Sequence, residues 1–294
     1  MPLSREEIEK MDATYTSKFE TVLSTQTNSS VMKIVLPDTF GAGGYVPYLM
    51  GAISAGREWV GSRLFKSLKT YGVRFTGKKY ENTVEVQVDD INDDPALGAS
   101  KIADAVAKTI PLHTEKQVIA VLASNAQGFD GAALFGDHTY STEVGAPVYN
   151  NDITAAAGSE GPTWYVCNEK SVVVATRTGE DYTPQMLAGT DKEFTDDAVV
   201  FGWRARKIFA PGLWFDSVRS NKALTAENLE EALTRAAGFK NDIGEPVNND
   251  MKFLVVPSSL ESAANKVLKA MLVDGGNTNT MYNRLEIIVS KQLG

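Results

Sequence analysis

Between residues 73 and 89 the chain alternates apolar and polar side chains more strictly than anywhere else. Val73 and Phe75 precede Gly77, Lys78 and Lys79, and then Val84, Val86 and Val88 alternate with Thr83, Glu85, Gln87 and Asp89. A period of two puts successive side chains on opposite faces, so this stretch is extended chain, not helix. Two alternating runs around a Gly-containing turn predict a β-hairpin with Gly77-Lys78-Lys79 at its tip. The preceding REWVGSRLFKSLKTYG adds a further extended segment. The whole excursion is long, charged and poor in core residues, and such a ribbon is not stable in water by itself. A chain built this way must lay the ribbon on something.

The flanking segments read as helix and strand without a regular alternation. Ser4 and Glu7 fit a capping box, and Ile8, Met11, Tyr15, Phe19 and Val22 recur at three- and four-residue steps, which predicts a helix over 5–24. The polar STQTNSS that follows has no periodicity, so this helix reads as an arm that docks on another body. Asp94 and Pro95 suit an N-cap and a first helical position, with Leu97, Ile102, Val106 and Ile110 lining one face until Pro111. Thr114 and Gln117 fit a second capping box, opening a helix that runs to Ser124. Residues 125–162 are rich in Gly, Ala, Asn and Asp and read as loop, while 164–178 and 198–219 read as strands. Thr225 caps a helix carrying Leu229, Ala232, Leu233 and Ala236, ended by Gly238. Phe253 to Val256 is a buried strand, Ser258 and Glu261 cap a helix stopped by Gly275-Gly276, and Leu285 to Val289 is a last strand. The fold class is α+β.

Reaction chemistry is hard to find. Asp and Glu number 37 against 29 Lys and Arg, a formal charge of −8, which argues against a surface built to grip nucleic-acid phosphates. Cys167 stands alone, so no internal disulfide framework exists. The polar N-terminus carries no export signal and no run approaches the roughly 18 apolar residues of a membrane helix, so the expectation is a soluble protein of a reducing compartment. Gly72 to Lys78 has the spacing of a phosphate-binding loop, but Lys79 stands where Ser or Thr must hold magnesium. Asp90, Asn92 and Asp94 begin like a calcium loop, yet Pro95 replaces its glycine and Lys101 its bidentate Glu. Asp137, His138 and Ser141 are too close in sequence to converge as a triad, and with His113 the two histidines and Cys167 are too few for a zinc site. Asn28-Ser29-Ser30 is a glycosylation sequon without a secretory context. No catalytic residue, cofactor-binding residue or metal ligand is assigned, and the chain reads as a non-enzyme without cofactor.

One segment admits a nucleic-acid reading. Phe201, Trp203, Phe209, Trp214 and Phe215 interleave with Arg204, Arg206, Lys207 and Arg219, a mixture that could stack on bases and hold phosphates. Arg204, Arg206 and Lys207 would be its basic face. A strand with its aromatics packed inside fits the acidic balance better.

The order of arm, long hairpin and Asp-Pro-capped helix resembles the phage major capsid proteins of the Hong Kong 97 type, and more closely the major head subunits of Mu-like phages. The resemblance is carried by REWVGSR at 57–63, YENTVEVQVDDINDD at 80–94, FDG at 129–131, LFGDHTY at 134–140, GPTWYV at 161–166, LTAENLEEALTRAAGF at 224–239 and FLVVPSSLESAANKVL at 253–268. It implies an N-terminal arm over 1–50, an extended loop over 51–94, a spine helix and peripheral domain over 95–220 and an axial domain over 221–294. It also implies a homo-oligomer of pentamers and hexamers that encloses double-stranded DNA without sequence-specific binding, inside a virion assembled in the bacterial cytoplasm. Scaffolding, portal and decoration proteins would be its partners, with no membrane involved. Gly77, Lys78, Lys79, Trp59 and Arg63 of the extended loop would make the subunit contacts. Some relatives join a loop lysine covalently to an asparagine of a neighbour, but the motif match does not reach that chemistry, so non-covalent contacts are expected. An encapsulin-like nanocompartment and a nucleic-acid-binding module are the alternative readings.

Overall fold

The computed structural model describes residues 4–25, 29–41, 49–50, 70–71, 74–93, 98–140, 146–188, 197–247, 249–273 and 277–293. The N-terminal half contains α1 (Arg5–Thr25), a 3-10 turn at Ser30–Ile34, β1 (Val35–Phe40), a two-stranded ribbon of β2 (Leu49–Met50) and β3 (Thr70–Tyr71), then β4 (Lys78–Gln87), α2 (Val88–Asp93), α3 (Ala99–Ala107) and α4 (Thr109–Ala123). The second half opens with a ribbon of β5 (Asp137–His138) and β6 (Tyr149–Asn150), followed by β7 (Asp152–Ile153), β8 (Trp164–Cys167), β9 (Val172–Arg177), β10 (Thr183–Leu187), β11 (Ala198–Pro211) and β12 (Ser217–Ser220). A helix at Ala226–Ala237, β13 (Phe253–Pro257), a helix at Glu261–Lys269, a ribbon of β14 (Leu272–Val273) with β15 (Asn277–Thr278), and β16 (Glu286–Ser290) complete it.

Two five-stranded sheets organise these elements. In the first, β11 is the axis: β4 runs antiparallel along one edge, while β10 and β9 share the other, and β1 pairs in parallel with β9. Val199, Phe201, Trp203 and Ala205 alternate onto one face of β11 and bury against Tyr15, Phe19 and Val22 of α1 and Ile102, Ala103 and Val106 of α3. The Tyr15 hydroxyl donates to the Gly202 carbonyl at 2.8 Å. Helix α1 therefore spends its apolar stripe on its own chain and not on another body, because the odd-numbered face of β11 supplies a matching apolar surface. Its capping box forms as the sequence predicts, with the Ser4 N–H donating to Glu7 Oε2 at 2.8 Å and the Glu7 N–H to Ser4 Oγ at 3.3 Å.

The alternating run does not make a hairpin. Residues 78–87 form one strand whose partner is 198–207, in the register Lys78↔Lys207 to Gln87↔Ala198. Periodicity identified the strand correctly, but it carries no information on which strand lies beside it. Helix α3 has Gly98 as its N-cap, and the expected Asp94-Pro95-Leu97 start lies outside the described residues. Pro111 does not interrupt a helix either. It sits in the first turn of α4, where a missing N–H costs nothing because it would have had no intrahelical acceptor. Thr114 is thus inside α4, and its hydroxyl meets the Tyr182 hydroxyl at 2.9 Å instead of capping.

The second sheet has the order β16-β13-β8-β12-β7, and its strands β8 and β13 are buried throughout. A boundary at 220/221 runs through this sheet, because β7, β8 and β12 precede it while β13 and β16 follow. The reason is that β8 lies antiparallel between β12 and β13, so the chain enters this sheet, leaves for β9 to β11, and returns. The two crossings, 168–171 and 212–216, are tied together in the interior. Asn168 Nδ2 donates to Asp216 Oδ1 at 2.6 Å, Ser171 Oγ donates to the Asp216 carbonyl at 2.7 Å, and the Gly212 N–H donates to the Ser171 carbonyl at 2.9 Å. A Cβ at Gly212 would lie 2.0 Å from the Lys170 carbonyl oxygen, so only glycine lets the crossings approach. Thr225 caps the helix that follows, its hydroxyl accepting from the Asn228 N–H.

Candidate assembly surfaces

The register of β4 on β11 decides what the sequence-predicted residues can do. Cross-strand partners share a face. Lys79 faces Arg206 and Glu81 faces Arg204 on one side of the sheet, whereas Lys78 lies opposite Lys207 on the side of α4. Lys78 and Lys79 are exposed, but they open a strand and are not the tip of a turn. Gly77 has no turn to make. A Cβ there would lie 2.4 Å from Cζ of Phe40, so any larger residue would have to push that buried ring aside. Trp59 and Arg63 lie outside the described residues.

The basic face of Arg204, Arg206 and Lys207 does not exist as one surface. Arg204 is exposed and Arg206 half-buried on one side. Lys207 points the other way and is buried, with Nζ 2.7 Å from Asp181 Oδ1, donating to Thr176 Oγ1 at 3.0 Å, and 4.3 Å from the centre of the Tyr182 ring. The aromatics of the same segment are spent as core: Phe201, Trp203, Trp214 and Phe215 are all buried. Phe209 is half-buried and lines the groove described below.

The other near-miss motifs resolve into packing. His138 is buried with Nδ1 2.6 Å from Asp130 Oδ2 and Nε2 3.1 Å from the Leu134 carbonyl, its ring stacked on Trp214 at 4.7 Å. Asp137, its supposed triad partner, instead accepts from Asn150 Nδ2 at 2.6 Å, and Ser141 lies outside the described residues. His113 sits among the rings of Tyr80, Trp203, Phe209 and Tyr182, where burial first and then the charges of Lys207 and Lys116 depress its basicity. Burial pushes the Cys167 thiol up to about 12, so it offers no thiolate. Residues 74–77 lead into β4, which opens at Lys78 where a phosphate loop would pass into a helix. Gly72 and Val73 lie outside the described residues, and Asp89 and Asp90 belong to α2. Among the described residues no group of three or more His, Cys, Asp or Glu could hold a metal.

What the surface does offer is a groove and a strand with opposite charges at its ends. The groove, about 450 Å³, lies between α4 and the segment leading into β4. Phe75, Tyr80, Val121 and Phe209 line its apolar part, and Arg74 and Lys78 stand on its rim, both exposed and without an acidic partner among the described residues. At the far end of β4, α2 is anchored by buried Val88, whose N–H donates to the Asp197 carbonyl at 2.8 Å, leaving Asp89 and Asp90 exposed. The sequence places Lys78 and Asp89 in one alternating run, with Asp90 next to it. Their relation appears only once the strand between them is straight.

A long central strand flanked by two helices, with a second sheet threaded by the same chain, is the fold of the phage capsid proteins of the Hong Kong 97 type. Solved structures agree on the fold: the procapsid subunit of bacteriophage JBD30 superposes with a TM-score of 0.79 at 23% identity, covering 99% of this chain and 100% of that one, and the JBD30 capsid subunit with 0.75 at 20% identity, covering 92% of each. The chain belongs to the family of the Mu-like prophage major head subunit gpT, whose pattern matches residues 8–293. It is 25% identical over 260 residues to the major capsid protein of Escherichia phage Mu, covering 83% of this chain and 84% of that protein. Against the Mu-like prophage FluMu major head subunit of Haemophilus influenzae it is 25% identical over 254 residues, covering 81% and 82%. It is a structural head subunit and not an enzyme. Among the described residues no helix is long and apolar enough to cross a membrane.

Proposed function

We propose that copies of this chain close into the icosahedral shell of a phage head, as pentamers and hexamers around double-stranded DNA, with scaffolding, portal and decoration proteins as its further partners. The observation that carries the reading is the family match over residues 8–293. In this reading the first sheet with α3 and α4 is the peripheral domain, and the second sheet with its helices is the axial domain. The β2–β3 ribbon is the base of the extended loop, and Gly77, Lys78, Lys79, Trp59 and Arg63 belong to the contacts between subunits. Closed shells need surfaces that meet under rotation, and the exposed charged end of β4 is such a surface.

Electron microscopy of the purified protein tests this directly. Closed shells with five- and six-fold capsomers are the expected result, and dispersed monomers at assembly concentrations overturn it. Shells that carry protein cargo and exclude DNA would make the chain a nanocompartment instead of a head.

A further inference from the structure

We infer that the groove between α4 and the start of β4 receives the acidic end of β4 and α2 from a second copy of this chain, so that copies join head to tail. This rests on the shell-forming reading above and names the segment that meets the groove.

Three observations carry it. First, the two ends of one element bear opposite charge: Arg74, Lys78 and Lys79 are exposed at the start of β4, and Asp89 and Asp90 are exposed just beyond its end. Second, these charges cannot satisfy each other within one chain. A ten-residue strand separates them by roughly 30 Å, several times the ~8 Å over which exposed charges feel each other at physiological salt. Third, each end is rigidly placed. Pairing with β11 fixes Lys78 and Lys79 at the basic end, and Val88 and Ile91 pin α2 onto the core beneath α1 and α3.

The groove gives the contact more than charge. Its floor of Phe75, Tyr80, Val121 and Phe209 offers apolar surface, and Gln117 and Ser124 offer hydrogen-bonding groups beside the two cations. An acidic helix end entering such a site is neutralised by Arg74 and Lys78 while its backbone leans on the rings. Because the two surfaces differ, the contact is heterologous, and repeated with rotation it closes rings instead of stopping at a dimer.

Zero-length carbodiimide coupling of wild-type assemblies tests the pairing. The reagent activates an aspartate carboxyl, the Lys78 amine displaces it to form an amide, and the carbodiimide leaves as its urea. A Lys78–Asp89 or Lys78–Asp90 cross-linked peptide in assembled but not dissociated protein is the expected result, since the separation forbids the bond within one chain. Charge reversal provides the second arm. Arg74→Glu with Lys78→Glu, and separately Asp89→Lys with Asp90→Lys, should each cut shell yield by about tenfold or more, with circular dichroism unchanged, and all four together should restore it. Intact wild-type shells without the cross-link, or reversed variants that assemble as well as wild type, overturn the inference. Wild-type protein that never forms shells instead refutes the assembly reading, and this inference falls with it.

Discussion

At the scale of single residues, the buried polar tie at Asp216 matters most for how the molecule responds to pH. Burial pushes its carboxyl up to about 6, although the hydrogen bond from Asn168 and the charge of Lys170 pull the other way. A carboxyl raised in the folded state favours the protonated form, so the site is most stable below the unfolded value of 3.8 and loses stability as pH rises through about 6. Holding it ionised above that range costs on the order of 2–3 kcal/mol. Asp216→Asn keeps an oxygen for Asn168 and removes the charge. It should raise the thermal midpoint at pH 7.5, with the gain fading toward pH 4.5; an equal gain at both pH values would contradict the assignment. The Tyr15–Gly202 hydrogen bond gives a second check. Tyr15→Phe should cost about 1 kcal/mol in chemical denaturation. Gly202→Ala should cost about 1–3 kcal/mol, because a Cβ there would lie 2.4 Å from the Asn82 carbonyl oxygen and β4 would have to move. A Gly202→Ala cost well below about 1 kcal/mol would mean that β4 gives way easily.

At the scale of elements, what the sequence made legible is what is decided locally. The Ser4–Glu7 box and the Thr225 cap form where they are expected because every atom involved lies within one helical turn. The strand character of 78–87 was legible for the same reason, but its partner was not, since 198–207 lies more than a hundred residues away and alternation is the same for any neighbour. The candidate surface followed suit: Lys78 and Lys79 were visible, whereas the groove beside Lys78 needs α4 and β11 to be in place. Helix α1 shows the cost of missing a partner. Read as a free arm, it should be dispensable for folding, yet Tyr15 and Phe19 are fully buried against Phe201 and α3. Deleting residues 1–25 removes at least three buried apolar side chains, about 5 kcal/mol or more by burial alone, and exposes Phe201, Trp203 and Val106. The truncated chain should therefore bind a hydrophobic dye and lose most of its unfolding midpoint in urea. A truncated chain with wild-type stability would return α1 to the status of an arm.

At the scale of the whole molecule, a shell subunit has to satisfy two stabilities at once, that of the monomer and that of the contact, and they need not favour the same residue. Lys79 shows the conflict. It stands directly across from Arg206 on the exposed face of the first sheet, and like charges in that position oppose the pairing of their strands. The nearest acid on the same face of β4 is Glu81, which is itself across from Arg204. For an isolated chain, Lys79→Glu would exchange a repulsion for an attraction and stabilise the β4–β11 pair by a few tenths of a kcal/mol to about 1 kcal/mol. The residue therefore works against its own fold, which is intelligible if its charge is used elsewhere, on a neighbouring subunit. The expectation is a divergence: Lys79→Glu should raise the thermal midpoint of the dissociated subunit while lowering the midpoint at which assembled shells come apart in guanidinium. The like-charge repulsion in the monomer should also shrink as salt is raised, so the gain should be largest at low ionic strength. If the substitution stabilises subunit and shell together, Lys79 makes no contact between subunits, and the exposed end of β4 owes its charge to some other demand.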